Sequence, residues 1–140
     1  MSFPSYRHLL SIPGFGPDVS SKVLGAIGDP HRFAAGAQVL KMAGYDLCAA
    51  RSGQTSDRAT PVISKRGKAD LRYALYQAAI IASLKNKDFI IYFTNKLRGR
   101  EREKGVATKM RVKLAAKMLI IAWTLMKKGE SFNPAYLNKQ

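Results

Sequence analysis

Residues 51–72, RSGQTSDRATPVISKRGKADLR, set a series of hydroxyls directly before a series of cations. Ser52, Thr55, Ser56, Thr60 and Ser64 come first; Lys65, Arg66, Lys68 and Arg72 surround the start of a predicted helix. A helix N-terminus already carries positive potential, so each cation there costs about 0.3–1 kcal/mol unless an anion offsets it. A bound phosphate would reverse that sign. Lysine and arginine can stabilise a pentacoordinate phosphoryl transition state, and a serine hydroxyl can supply the attacking oxygen. The same hydroxyls also suit turns and caps, and Ser64 stands where a helix cap is needed. No histidine lies near in sequence to act as a base. From the chemistry of the residues both readings remain open.

Two other stretches have residue types suited to phosphate. In LLSIPGFGPDVSSKVL (9–24), Gly14 and Gly16 permit a tight turn between two helices and let backbone approach a ligand. The N–H groups of the following helix could then hold a phosphate whatever the base sequence, as in a helix–hairpin–helix element. A plain αα-hairpin with a glycine turn accounts for the same residues. Further on, Lys109, Lys113 and Lys117 recur at every fourth position and share a helix face. Arg111 and the cluster Arg98, Arg100, Arg102 and Lys104 are close by in sequence. Like charges four apart destabilise a helix by a few tenths of a kcal/mol, which phosphate contact would offset and a solvated face would not.

These residues must be positioned by helices. Residues 5–11 and 17–27 read as two helices around the glycine turn, with Pro17 at a first helical position. Asp29 followed by Pro30 is a start signal for a helix running to Ala43, ended by Gly44. Residues 45–66 read as loop or short extended pieces with Pro61 among them. A helix over 68–84 places Leu71, Ala74, Leu75, Ala78, Ala79 and Ala82 on one face, and helices follow over 87–98 and 105–127. Phe89, Tyr92, Phe93, Met118, Trp123 and Met126 fit the core better than base stacking. The expectation is one all-α domain over residues 1–130, with basic helices in its second half, one long functional loop, and a loosely held tail over 131–140.

Composition narrows the function classes. With 46% hydrophobic residues in 140, the chain can bury a modest core and fold. Its formal net charge is +15, from 24 Lys+Arg against 9 Asp+Glu, which calls for a polyanionic partner. Residues 1–50 carry +1, residues 51–76 carry +4 and residues 77–140 carry +10, so the basic surface belongs to the second half. Cys48 is the single cysteine, which excludes an intrachain disulfide and fits a reducing cytosol. With only His8 and His31 beside it, it does not compose a zinc set. MSFPSYRHLL lacks the apolar core of a signal peptide, and LAAKMLIIAWTLM (114–126) falls short of the ~20 residues of a membrane span.

Taken in order, SIPGFGP, HRFAAGAQVLKMAGY, SGQTSDRATPVISKRGKADLRYAL and YFTNKLRGREREKGVATKMRVKLAAKMLIIAW resemble the C-terminal domain of the DEDD-type insertion-sequence transposases, the bridge-RNA-guided recombinases. The likeness covers about residues 9–130; its pieces are individually weak and specific as an ordered set. It implies a serine that attacks a DNA phosphodiester and forms a phosphoserine intermediate. The family's Ser-Gly pair falls on Ser52 and Gly53, with Arg51 beside them; its second block falls on Lys65, Arg66, Gly67, Leu71 and Arg72. Tyr45 and either Leu47 or Cys48 depart from the pattern. In the family a RuvC-like domain with four metal-binding acids, and the Mg²⁺ they hold, completes the catalyst. The nine acids here are scattered, so no cofactor is expected in this chain and none of its own cleavage activity.

The expectation is therefore a DNA-binding, catalytic-serine domain of a prokaryotic, cytoplasmic, nucleoid-associated transposase. The likeness further implies a guide RNA and a homo-oligomer at full length; no membrane partner is expected. Two alternatives are a non-catalytic helix–hairpin–helix DNA-binding module and a basic RNA-binding protein.

Overall fold

Helix α6, Val106–Lys128, is the axis around which the rest of the chain is arranged. The computed structural model of the chain describes residues 3–46, 62–63 and 68–138. In order, α1 spans Phe3–Leu10, α2 Pro17–Ile27, α3 Gly36–Ala43, α4 Ala69–Lys85 and α5 Lys87–Leu97. Strands β1 (Tyr45–Asp46) and β2 (Val62–Ile63) form a two-residue antiparallel ladder, Tyr45 opposite Ile63 and Asp46 opposite Val62. The described residues thus form an all-α domain with one small ladder.

α6 lies along α4, and α1, α3 and α5 also pack on it. The pairing follows from residue size. α4 buries Ala74, Ala78, Ala79 and Ala82, and α6 buries Ala115, Ala116 and Ala122, so little side-chain bulk holds the helices apart. All six residues expected on the inner face of α4 are buried, and Ser83 joins them. Leu114, Met118, Leu119, Leu125 and Met126 of α6 fill the centre with Phe89 of α5. The apolar 114–126 run is a core helix, and no helix of the described residues is long and apolar enough to cross a membrane.

The hairpin between α1 and α2 turns on Gly14, whose φ is +89°. A Cβ at that position would lie 2.4 Å from the carbonyl oxygen of Ala78, on α4. Glycine is required there by fold packing as well as by backbone angle. Leu9, Ile12, Phe15, Val19, Val23 and Ile27 carry the hairpin's apolar side into the core.

Two expectations need correction. The helix expected from Pro30 to Ala43 is divided into a 3₁₀ turn at Pro30–Arg32 and α3 from Gly36. Asp29 caps as expected, its carboxylate accepting from the His31 N–H, but Phe33 is extended and buried. The Trp123 indole N–H donates to the Pro30 carbonyl oxygen at 2.8 Å, and Arg32 donates to the carbonyls of Ile27 and Ala26 at 2.8 and 3.0 Å. The Trp123 bond takes the Pro30 carbonyl that a continuous helix would have given to a backbone N–H, and the Arg32 bonds satisfy carbonyls at the end of α2. The tail is not loosely held over its described part: Tyr136 and Leu137 are buried in a 3₁₀ turn, Pro134–Asn138. The Phe132 ring lies 5.7 Å from Phe89 and 6.3 Å from Tyr136, and its N–H donates to Ser11 Oγ at 2.8 Å.

Candidate nucleic-acid interface

Three groups of residues bear on phosphate binding: the base of the hydroxyl-bearing segment, the hairpin, and the basic faces of α5 and α6. Ser52, the candidate nucleophile, lies outside the described residues, as do Arg51, Gly53, Lys65, Arg66 and Ser64, the hydroxyl expected as a cap. The structure does describe what holds the segment's ends. Gly44 closes α3 in the left-handed conformation, φ 95° and ψ 10°, and turns the chain into β1. Pairing with β2 then brings the two ends of residues 47–61 together.

Arg72 anchors this base. One guanidinium N–H donates to the Ala43 carbonyl oxygen at 3.0 Å, satisfying an acceptor at the C-terminus of α3. Tyr45 is buried, and burial pushes its hydroxyl above the usual tyrosine range, with Arg72 pulling partly the other way. Lys68 stands just before α4, exposed and making no cap. Asp70 supplies an anion in the first turn, so the start of α4 is less one-sidedly basic than 65–72 suggests. Lys22 of α2 binds it at 3.4 Å and Asp18 at 3.1 Å, tying α2 to this end of α4.

The two hairpin glycines separate in role. Gly14 faces α4, whereas a Cβ on Gly16 would meet nothing within 4 Å. Gly16 has φ −96°, open to any residue, and immediately precedes α2. Asp18 in the first turn of α2 opposes an approaching anion there. Ser20 of α2 is fully buried, and its hydroxyl finds no partner among the described residues.

The basic helices likewise sort themselves. Lys109 and Lys113 are exposed on α6, while Lys117, one turn on, is half-buried. Its Nζ lies 5.6 Å from the centre of the Tyr92 ring, and Lys96 Nζ lies 5.3 Å from the same ring. Burial pushes the Lys117 ammonium below the usual lysine range, and the nearby Lys96 charge adds to the effect. The three lysines therefore share a face without sharing an environment. Arg100 is held by Glu103 through two bonds of 3.0 and 3.1 Å, and that fork keeps the Glu103 carboxyl below its usual range. Arg102 is exposed in the same turn. Arg111 is structural, stacked 4.8 Å from the Phe93 ring centre and donating to Ser83 Oγ at 3.3 Å.

Lys96 and its neighbour Asn95 were missed by the sequence reading, although the four-residue step from Tyr92 to Lys96 on one helix face was legible. Phe89, Phe93, Met118, Trp123 and Met126 are core residues, as expected. Among the described residues no three of His, Cys, Asp and Glu come together to hold a metal ion.

Comparison with known proteins agrees with the first three of the ordered motifs; the fourth, which begins at Tyr92, lies almost wholly beyond the matched residues. No curated protein matches the chain. The profile of the family described as Transposase IS116/IS110/IS902 matches residues 6–94, a stretch that includes the hairpin, α3, the ladder with the segment it closes, and α4. With well over half of its 140 residues matched, the chain belongs to the transposase IS116/IS110/IS902 family.

Proposed function

We propose that this chain is the DNA-binding, serine-bearing domain of a transposase that mobilises an insertion sequence by strand cleavage and transfer. The observation that carries the reading is the ladder base within the matched region. β1 and β2 flank residues 47–61, and so Ser52, in the sequence; they pair with each other, and Arg72 of α4 binds Ala43 just before β1. In the proposed step, Ser52 Oγ forms a bond to phosphorus while the bond from phosphorus to a deoxyribose oxygen breaks. The serine proton is released and the departing oxygen takes one up. One phosphodiester replaces another, so the exchange runs in either direction and suits rejoining. Lys65, Arg66 and Lys68 would neutralise the phosphate, and Arg72 would position the segment's base through Ala43. The hairpin would add a sequence-independent phosphate contact at Gly16 and the first N–H groups of α2.

The test uses the full-length protein with its metal and guide. Ser52→Ala should retain DNA binding and lose both cleavage and the covalent protein–DNA adduct. Ser64→Ala should still form the adduct; Lys68, not Ser64, stands at the N-cap position of α4. An adduct that maps to Ser64, or cleavage that survives Ser52→Ala, would sink the assignment.

A further inference from the structure

We propose that the solvent face of α4 is an interface for a second copy of this chain, the two α4 helices pairing antiparallel across a twofold axis. Tyr73, Ile81 and Leu84 are 66%, 45% and 60% exposed on that face, away from the alanines that α4 buries. Gln77 and Ile80, both half-buried, complete the stripe. From Tyr73 to Leu84, about three turns of helix, there is no charged residue, although 24% of the chain is charged. A helix that is apolar nearly all round belongs in an interior. α4 has an interior on one side, and on the other a tyrosine, an isoleucine and a leucine stand open to water. A contiguous apolar stripe of this kind marks an interaction surface.

The charge pattern selects the occupant. A chain of net charge +15 repels its own copies, so two of them meet at least cost where the facing surfaces carry no like charges. The stripe over residues 73–84 meets that condition, and its rims match as well. At about 100° per residue, Asp70 and Lys85 lie about 60° apart around α4, on the flank that also holds Ile81, while Arg72 falls on the opposite flank. A twofold pairing is isologous, so each flank meets the same flank of the other copy with its direction reversed. Tyr73 then comes level with Leu84 of the second copy, Gln77 with Ile80, and Asp70 stands within a turn of Lys85. The Asp70 carboxylate is 79% exposed, with Lys22 on it at 3.4 Å, and Lys85 makes no ion pair among the described residues. Antiparallel alignment also sets the positive end of each helix beside the negative end of the other. The pairing goes beyond the DNA-binding reading and does not depend on it.

Sedimentation equilibrium of the chain, free of nucleic acid and over a concentration series at low and high salt, tests the pairing. The wild type should reach twice the monomer mass, with a dimer that tightens as salt screens the net charge. Leu84→Glu and Ile81→Glu should each weaken it at least tenfold. Both side chains are exposed, so at a dilution where the wild type is monomeric the variants should keep its far-UV circular dichroism and Tm. Asp70→Lys and Lys85→Asp should each dimerise poorly alone and pair with one another when mixed, since only the mixed pair opposes unlike charges at both rims. A wild type that stays monomeric throughout the series at high salt would overturn the proposal, as would a dimer that Leu84→Glu and Ile81→Glu leave intact. A lowered Tm in those variants, with no dimer in the wild type, would overturn it in favour of cover by the chain's own residues. No DNA is present, so none of these outcomes bears on the DNA-binding reading.

Discussion

Replacing Gly14 by alanine should damage the fold, whereas the same change at Gly16 should not. At Gly14 the backbone angle φ is +89°, which a side chain disfavours by about 1–3 kcal/mol. The new Cβ would also lie 2.4 Å from the Ala78 carbonyl oxygen, well inside contact distance and against helix backbone that cannot rotate away. Overpacking of this kind costs a further ~1–3 kcal/mol. The combined loss, about 2–6 kcal/mol, is a large share of the 5–15 kcal/mol that holds a typical domain together. Urea unfolding followed by far-UV circular dichroism would give the difference, and Tm should fall by roughly 8 °C or more for a chain of this size. Gly16→Ala introduces a methyl group that meets nothing within 4 Å at a permissive φ of −96°, so its stability should stay within about 0.5 kcal/mol of wild type. The pair also separates folding from binding: a folded Gly16→Ala with weakened DNA affinity would place phosphate contact at α2. A Gly14→Ala as stable as wild type would refute the packing argument and with it the described seating of the hairpin on α4.

The other expected outcomes are briefer. Arg72→Ala should remove the bond to Ala43 at a half-exposed site, costing about 1 kcal/mol, and should speed amide exchange at the ladder; unchanged protection of Tyr45 and Ile63 would deny Arg72 its anchoring part. Trp123→Phe should lose about 1–2 kcal/mol by leaving the Pro30 carbonyl without its donor, read as a shift of the urea midpoint. Leu137→Ala should cost about 2–4 kcal/mol because its side chain is buried, whereas a loose tail would tolerate it with no change in Tm. Lys109→Gln with Lys113→Gln should leave Tm unchanged or raise it by relieving like-charge repulsion, and should lower the salt slope of DNA binding by about 2.

What was legible in the sequence was governed by local periodicity. The inner face of α4 could be read because Leu71, Ala74, Leu75, Ala78, Ala79 and Ala82 repeat at helical spacing and nothing distant contradicts them. The break after Arg32 could not, because it depends on Trp123, 93 residues downstream of Pro30, taking that residue's carbonyl. SFNPAYLNKQ reads as loose because polar residues and a proline dilute it; Tyr136 and Leu137 join the core, with Phe132 packed against it, only once α1 and α5 are beside them. The candidate site divides in the same manner. A cation is easily read as a phosphate ligand, but whether its nitrogen meets a carbonyl, as Arg72 does, or an aromatic face, as Lys117 does, is decided by neighbours far away in sequence. Gly14 shows the converse, since a glycine suited to ligand approach is used instead to admit a neighbouring helix.

The ladder between β1 and β2 has an evolutionary consequence. Among the described residues, the pairs Tyr45–Ile63 and Asp46–Val62 close a base on either side of residues 47–61, with Gly44 at the end of α3 and Arg72 on α4 beside it. Closing a longer segment across the same base costs only about 0.6 kcal/mol for each doubling of length. A change in the length of that segment therefore adds little to the cost of closing its base. A mobile element under pressure to change the DNA it engages would have, at this position, a module open to variation on a scaffold that does not have to be rebuilt.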